Sequence, residues 1–396
     1  MKRSTLLLLL GTVFLAFGYT TEPGEGISKI HLSGDLLIRN VAGEKISLYS
    51  VSNPYDVQQV GSIEIADNHD LATSGEYLYA DQGEALQVWD ISSPSEPLLV
   101  SSVDNVFEHE IQQAPTAGER APVTPENVRA NRERTGGEVG GMASCGSGCG
   151  TNDRVMASSN SSGSSGNAAG AGSAAGGEGA GTGGSMTRFV VVGTTLYCVD
   201  GDQLKIFNVI DPASPTFVKT VTVETGLETV FLSDDYLFVG GRQGMYIYSV
   251  SDPENPTPIS TFRHQVACDP VVVDGDYAYV TLRDGTLCGN TVNELQVVDI
   301  SDIENPVLIK TIPMKSPYGL AARDGIVMVC DGEAGLAVLR TDGGIGATKC
   351  DGVQGITAHD VIWQDDLAVI TAGEGFWLYD ASNPCEMKPY SQLDFE

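Results

Sequence analysis

Leu86-Gln-Val-Trp-Asp-Ile-Ser-Ser-Pro94 recurs six more times along the chain. Its counterparts are Ile46-Ser-Leu-Tyr-Ser-Val-Ser-Asn-Pro54, Leu204-Lys-Ile-Phe-Asn-Val-Ile-Asp-Pro212, Met245-Tyr-Ile-Tyr-Ser-Val-Ser-Asp-Pro253, Leu295-Gln-Val-Val-Asp-Ile-Ser-Asp-Ile303, the truncated Leu336-Ala-Val-Leu-Arg340, and Phe376-Trp-Leu-Tyr-Asp-Ala-Ser-Asn-Pro384. Their first residues are separated by 40, 118, 41, 50, 41 and 40 positions. The period is therefore 40–41 residues, broken by one long and one short insertion. A fixed period of this size marks a repeat architecture.

Each period carries the same internal punctuation. A short apolar strand runs into a polar turn, as at Ser33-Gly34-Asp35, Ser74-Gly75-Glu76 and Asp274-Gly275-Asp276. A second strand follows, such as Tyr77-Leu78-Tyr79 or Tyr277-Ala278-Tyr279-Val280. The quoted motif is the third strand, and its proline-rich end leads to a fourth, such as Leu98 to Val103. Alternation of period two between Gly, Asp and Pro turns is the signature of antiparallel strands. Four short strands in about 40 residues is one propeller blade. The expectation is an all-β chain folded as a seven-bladed β-propeller of four-stranded antiparallel blades. Blades 1–2 and the start of the insertion span 27–112, and blades 3–7 span 187–396. An open solenoid is disfavoured, because its coils are shorter and lack a four-strand pattern.

The Leu-x-Val-x-Asp-Ile-Ser-x-Pro core at Leu86, Met245, Leu295 and Phe376 resembles the LVIVD repeat of exported and surface-associated bacterial β-propellers. The resemblance covers nearly all of the chain outside the long insertion. It implies a fold and a location, and it carries no catalytic residues with it.

Charge narrows the function classes. The 396 residues include 22 Lys and Arg against 52 Asp and Glu, a formal charge of −30. Nucleic acid and anionic membrane surfaces need a basic face and are excluded as partners. At the N-terminus Lys2 and Arg3 precede an apolar run from Leu6 to Phe17, followed by small residues. This reads as a signal peptide over 1–18, cleaved between Gly18 and Tyr19. The run is shorter than the roughly 20 residues of a spanning helix, so no transmembrane segment is expected in the mature chain. The protein is expected to be exported, to the periplasm, the cell surface or beyond, and to be a monomer.

The long insertion is compositionally biased. Residues 136–184 hold 17 glycines, with Ser and Ala filling most of the rest. Without a recurring apolar face such a stretch does not offset its ordering entropy. A flexible, disordered Gly/Ser/Ala-rich segment is expected over 113–186, without regular structure through 184.

Aligning the blades places one position of each at the start of its first strand, around one mouth of the central channel. His69, Asp70, Glu228, Asp269, His359 and Asp360 fall there, with Lys29 and Arg188 as the basic members. Histidines with carboxylates suit a divalent cation, calcium or zinc, or acid–base chemistry near neutral pH. The bland alternative is a solvated polar rim. The chain has no Gly-x-Ser-x-Gly elbow and no His-Glu-x-x-His helix motif. The expected function is a binding or scaffolding module with a protein or carbohydrate partner. The alternatives are a metal-assisted hydrolase or lactonase-like enzyme at the channel mouth, and a structural adhesion component.

Eight cysteines in an exported chain make disulfides plausible. Antiparallel order puts Cys268 and Cys288 on one face of blade 5, which makes them the first candidate pair. Cys145 and Cys149 frame a Gly-Ser-Gly and suit a local pair or a metal, although two thiols alone make a poor metal site. Cys330 and Cys350 end strands two spacings apart, about 9.5 Å, beyond disulfide reach. Cys198 and Cys385 have no evident partner.

Overall fold

The structure is a computed structural model and describes residues 29–41, 43–107, 174–175, 180–224, 226–264, 270–284, 292–341, 346–373 and 375–395. Seven antiparallel sheets of consecutive strands form seven blades. Blade 1 is β1 (Lys29–Ser33), β2 (Leu36–Val41), β3 (Lys45–Ser50) and β4 (Gln58–Glu64). Blade 2 is β5 (Leu71–Ser74), β6 (Tyr77–Gln82), β7 (Ala85–Asp90) and β8 (Leu98–Val103). After two short strands, β9 (Ala174–Ala175) and β10 (Thr182–Gly183), blade 3 comprises β11 (Phe189–Val192), β12 (Thr195–Asp200), β13 (Gln203–Asn208) and β14 (Thr216–Thr222). Blades 4 to 7 continue as β15 (Leu227–Ser233) to β18 (Thr257–Arg263), β19 (Val271–Asp274) to β22 (Val307–Pro313), β23 (Leu320–Arg323) to β26 (Thr348–Lys349), and β27 (Ala358–Gln364) to β30 (Lys388–Asp394). The expected fold class is thus observed. No α-helix occurs among the described residues, and none of their helices is long and apolar enough to cross a membrane.

The repeat motif has a local cause. Its Asp ends the third strand and turns the chain: Asp90, Asp299 and Asp380 each accept the backbone N–H two residues on, at 2.9, 2.9 and 3.0 Å. The hydroxyls of Ser92, Ser301 and Ser382, together with these backbone bonds, hold the three carboxyls below the ordinary aspartate range. A side chain that mimics a backbone turn in this way is the reason Asp and Asn favour such positions. Just before it, six blades carry a β-bulge between the third and fourth strands, for example at Val88/Trp89 and Leu378/Tyr379. The extra residue sharpens the local twist.

The first three strands of each blade are buried on both faces while the fourth is largely exposed, so the core is divided among the blade interfaces. Leu86 and Val88 of the motif are fully buried. Ile38, Ile46 and Leu48 of blade 1 meet Leu71, Leu78 and Ile91 of blade 2 in one cluster. Ile30, Leu37 and Tyr49 meet Ile362, Phe376 and Leu378 of blade 7 in another, which closes the ring. Among the described residues no strand is exchanged at this closure. Side chains fasten it instead: Ser391 Oγ donates to the Pro54 carbonyl at 2.6 Å, and the Arg39 guanidinium lies 3.3 Å above the Phe395 ring.

Similar fastenings join other blades. Tyr79 donates to the Pro212 carbonyl at 3.2 Å, across blades 2 and 3. Tyr197 donates to the Pro253 carbonyl, across blades 3 and 4. Ser260 reaches the Ile303 carbonyl at 2.6 Å, across blades 4 and 5. The Tyr279 and Thr341 hydroxyls meet at 2.9 Å, across blades 5 and 6. Blades 6 and 7 are joined covalently, by a Cys350–Cys385 disulfide with a Cα–Cα distance of 4.8 Å. This corrects the expectation that Cys385 lacks a partner. Cys350 turned out to lie just past the short β26, so it faces the next blade's turn rather than Cys330. Cys198 and Cys330 are buried free thiols. Cys268, Cys288, Cys145, Cys149 and the Gly18/Tyr19 cleavage position lie outside the described residues.

The end of the long insertion departs from expectation. Strand β10 pairs antiparallel with β1, His31 opposite Gly183 and Leu32 opposite Thr182, and β9 pairs with β10 in turn. Since β1 is the innermost strand of blade 1, the added strands lie inside the channel. Gly181 N donates to Thr73 O at 3.2 Å and Gly184 N to Ile30 O at 3.1 Å, so the segment is tied to blades 1 and 2 by backbone bonds. The glycines are there because nothing larger fits. A Cβ at Gly181 would lie 2.2 Å from Thr73 Oγ1, and one at Gly184 would lie 2.0 Å from Asp360 Oδ2. Composition alone reads such a stretch as a linker, but 174–175 and 180–187 are channel filling. The remainder of 113–186 lies outside the described residues.

Candidate functional site at the channel mouth

Strand starts, second-to-third strand turns and blade-to-blade connections share one face of the disc. Six expected site residues belong there, and the structure distributes the five it describes among separate partners. Asp70, 2% exposed, receives Lys29 Nζ at 2.6 Å, Arg188 N at 2.6 Å and Leu71 N at 2.8 Å. This one carboxylate therefore ties the first strands of blades 1, 2 and 3 together. His69 turns away from it. Its Nδ1 lies 2.8 Å from Asp81 Oδ2, and its ring is half exposed. The hydrogen bond to Asp81 raises the His69 pKa against the opposing effect of burial.

Asp81 is the organising residue of this corner, and the sequence reading did not single it out. Its Oδ1 accepts the backbone N–H of His69 and of Asp70, both at 2.9 Å, and Asn68 Nδ2 at 3.1 Å. Asn68 is fully buried. The equivalent position near the end of the second strand is also polar and buried in other blades. Thr371 Oγ1 accepts Asp360 N at 3.1 Å, and Thr281 donates to Tyr318 O at 2.8 Å. A polar residue near the end of an otherwise apolar second strand was the available signal.

Asp360 is fully buried inside the channel. Its Oδ1 accepts Val361 N at 3.0 Å and Ser185 Oγ at 3.4 Å. Its Oδ2 has no hydrogen-bond partner. Burial pushes its pKa up to about 7. Ser185, from the channel segment, also accepts Leu320 N at 2.8 Å, so this one hydroxyl connects blades 6 and 7 to the plug. Between the neighbouring blades 1 and 2 His31 Nε2 meets Thr73 Oγ1 at 3.0 Å, and burial lowers the His31 pKa to about 3. Neither Ser185 nor His31 was legible as a site residue, because both depend on where the insertion goes.

The remaining residues stand apart. Glu228 pairs with Arg242 Nε at 3.1 Å on an exposed surface. His359 is buried with its ring 5.0 Å from that of Tyr318. Asp269 lies outside the described residues. No three His, Cys, Asp or Glu side chains among the described residues come together as a metal site. The expected convergence of the ring on one cation is therefore not found among them. Asp70 is instead bonded to blades 1 and 3, Glu228 to Arg242 of its own blade, and Asp360 to Val361 N and the plug's Ser185.

A seven-bladed propeller whose axis is filled by its own chain is the class these features define. The LVIVD repeat family profile matches residues 66–105, 228–263 and 267–312, so the chain carries LVIVD repeats. Solved structures of the same fold are distant in sequence. A periplasmic gluconolactonase of Pseudomonas aeruginosa is 9% identical at a TM-score of 0.58, covering 93% of this chain and 96% of that one. A Lactobacillus plantarum protein is 11% identical at 0.54, covering 88% and 91%. A functionally unknown protein from Desulfotomaculum acetoxidans is 10% identical at 0.53, covering 89% and 92%. At such identities the likeness concerns the fold alone. No curated protein matches the chain.

Proposed function

We propose that this protein is an exported binding or scaffolding module that engages its partner through its outer surfaces rather than through a catalytic channel. The observation that carries this reading is the channel segment, residues 180–187, which fills the axis and is bonded to the first strands around it. A propeller channel otherwise offers a concave site with convergent polar groups. Here the convergent groups, Asp70 and Asp360, accept from Lys29, Arg188 N, Val361 N and Ser185, and the unbonded Asp360 Oδ2 is packed against Gly184. Export is supported by the charged-then-apolar N-terminal sequence and by the Cys350–Cys385 disulfide, since such bonds persist in oxidising compartments.

One observation favours a second reading, a hydrolase of lactone or ester class. His69 has its Nδ1 on Asp81 and a half-exposed ring, the arrangement of a general base. The test is hydrolysis of a lactone and ester panel by the full chain and by His69→Ala. Turnover present in the wild type and lost in His69→Ala would replace the binding reading. Turnover indistinguishable from buffer in both agrees with it.

A further inference from the structure

On the opposite face of the disc lie the first-to-second strand turns and the proline-ended turns of the repeat motif. Six of the seven first-to-second strand turns carry a carboxylate; only Gly193-Thr194 of blade 3 does not. Between blades 1 and 2 this face opens into a cleft of about 540 Å³. Its apolar lining includes Leu36, Val60, Ile91 and Pro94, and Asp35 and Glu76 stand on its turns. Both carboxylates are exposed, and neither forms an ion pair with a described residue.

The cleft has a sequence cause. Six blade interfaces are fastened by a tyrosine of the second strand, a serine of the fourth or, for blades 6 and 7, the disulfide. In blade 1 the position of Tyr79 is occupied by Ile38 and that of Ser391 by Gly61, and neither side chain carries a donor. The fourth strand closes up at Gly61 instead, where a Cβ would lie 1.7 Å from the Pro94 carbonyl. Between that contact and the turns at Gly34 and Gly75 the space stays open.

We infer that this cleft is a docking site for a cationic, partly apolar polypeptide segment, in which an Arg or Lys side chain meets Asp35 and Glu76 while its neighbours cover Leu36 and Val60. Charge complementarity selects this occupant. The chain as a whole is at −30, the face is acidic around its circumference, and a basic segment is both steered to it and held by charge-assisted bonds. The inference rests on the binding-module reading and gives it a place and a partner class.

The probe is a fluorescein-labelled peptide of alternating arginine and leucine, titrated with the full chain at physiological salt and read by anisotropy. A peptide with glutamate in place of arginine is the comparison. The cleft variant is Asp35→Asn with Glu76→Gln. The control is Asp235→Asn with Asp276→Asn, which removes the same charge from the same turn position at blades 4 and 5, where Ser260 fastens the interface. Saturable binding of the basic peptide alone, weakened at least tenfold in the cleft variant and less than twofold in the control, is expected. Equal weakening in both variants overturns the cleft and leaves the binding-module reading standing. Absence of saturable binding to the wild type also overturns the cleft, while that reading is judged separately by the hydrolysis panel.

Discussion

Replacing Asp360 by asparagine should stabilise the protein above neutral pH. Asparagine keeps an acceptor for Val361 N and Ser185 Oγ and puts a neutral group where Oδ2 now lies without a partner. Burial raises the Asp360 pKa from 3.8 to about 7. The folded state therefore holds a proton that the unfolded state has already released. Its stabilising effect is complete below about pH 4 and is lost as pH rises to about 7. At 1.36 kcal/mol per pH unit, a shift of about 3 units corresponds to roughly 4 kcal/mol. His31 acts in the opposite sense across much of the same range. Its pKa falls from 6.5 to about 3, so its contribution is lost as pH falls below 6.5. The two trends partly cancel in the wild type. Only the difference between wild type and Asp360→Asn isolates the carboxyl. Urea unfolding at pH 4, 6 and 8 should show the variant equal to wild type at pH 4 and more stable by up to about 4 kcal/mol at pH 8. Equal midpoints at all three values, or a less stable variant at pH 8, would refute the buried, unpaired carboxyl.

Other perturbations probe the fastenings and the plug. Cys350→Ser should lower stability by roughly 3.5–4 kcal/mol on the loop-entropy account for its 35-residue separation, measured by denaturant unfolding against the same variant under reductant, which should add nothing further. Gly184→Ala should cost about 1–3 kcal/mol through overpacking against Asp360. Gly373→Ala, whose Cβ would meet only His359 Cε1 at 3.9 Å, should stay near wild type; equal melting shifts for the two would deny that the segment is confined. Ser391→Ala should cost about 1 kcal/mol by removing the bond to Pro54 that helps to close the ring, and an unchanged midpoint would assign the closure wholly to the apolar cluster.

The blade framework was legible in the sequence because its signals are local. Strand alternation, the Asp-x-Ser turn and the glycine or aspartate at each first-to-second strand turn are read within a few residues. Gly34 and Asp234 both adopt positive φ, at 56° and 50°, which is the conformation those residue types suit. The site was less legible because its contacts are long-range. Asp70 was placed at the mouth by alignment, but its bonds to Lys29 and Arg188 N span 41 and 118 residues. Asp360 and Ser185 are 175 residues apart. Nothing in a Gly/Ala/Ser stretch announces that it will enter a channel, since small residues serve a flexible linker and a confined strand equally well.

In a repeat protein each blade supplies the control for the others, and the departures from the repeat fall where the structure is unusual. Blade 6 has the most degenerate motif and the shortest fourth strand, β26 at Thr348–Lys349, and it is joined to blade 7 by the disulfide. The longest interval between motifs, after Leu86, holds the segment that fills the axis. Blade 1 lacks both the tyrosine and the serine that fasten other blades, and its interface with blade 2 holds the 540 Å³ cleft. In the first two cases the missing or added residues are compensated from within the chain. Blades 1 and 2 are joined near the channel by Lys29–Asp70 and His31–Thr73, but on the opposite face Gly61 closes up on Pro94 and apolar and acidic groups are left facing open space. Giving blade 1 a tyrosine in place of Ile38 tests this contrast, since its ring and hydroxyl would supply what Tyr79 supplies to Pro212. If the open interface is retained for a partner, I38Y should weaken binding of the basic peptide while leaving thermal stability equal or higher. If I38Y lowers stability and leaves peptide binding unchanged, the cleft is a packing consequence of Ile38 and not a site.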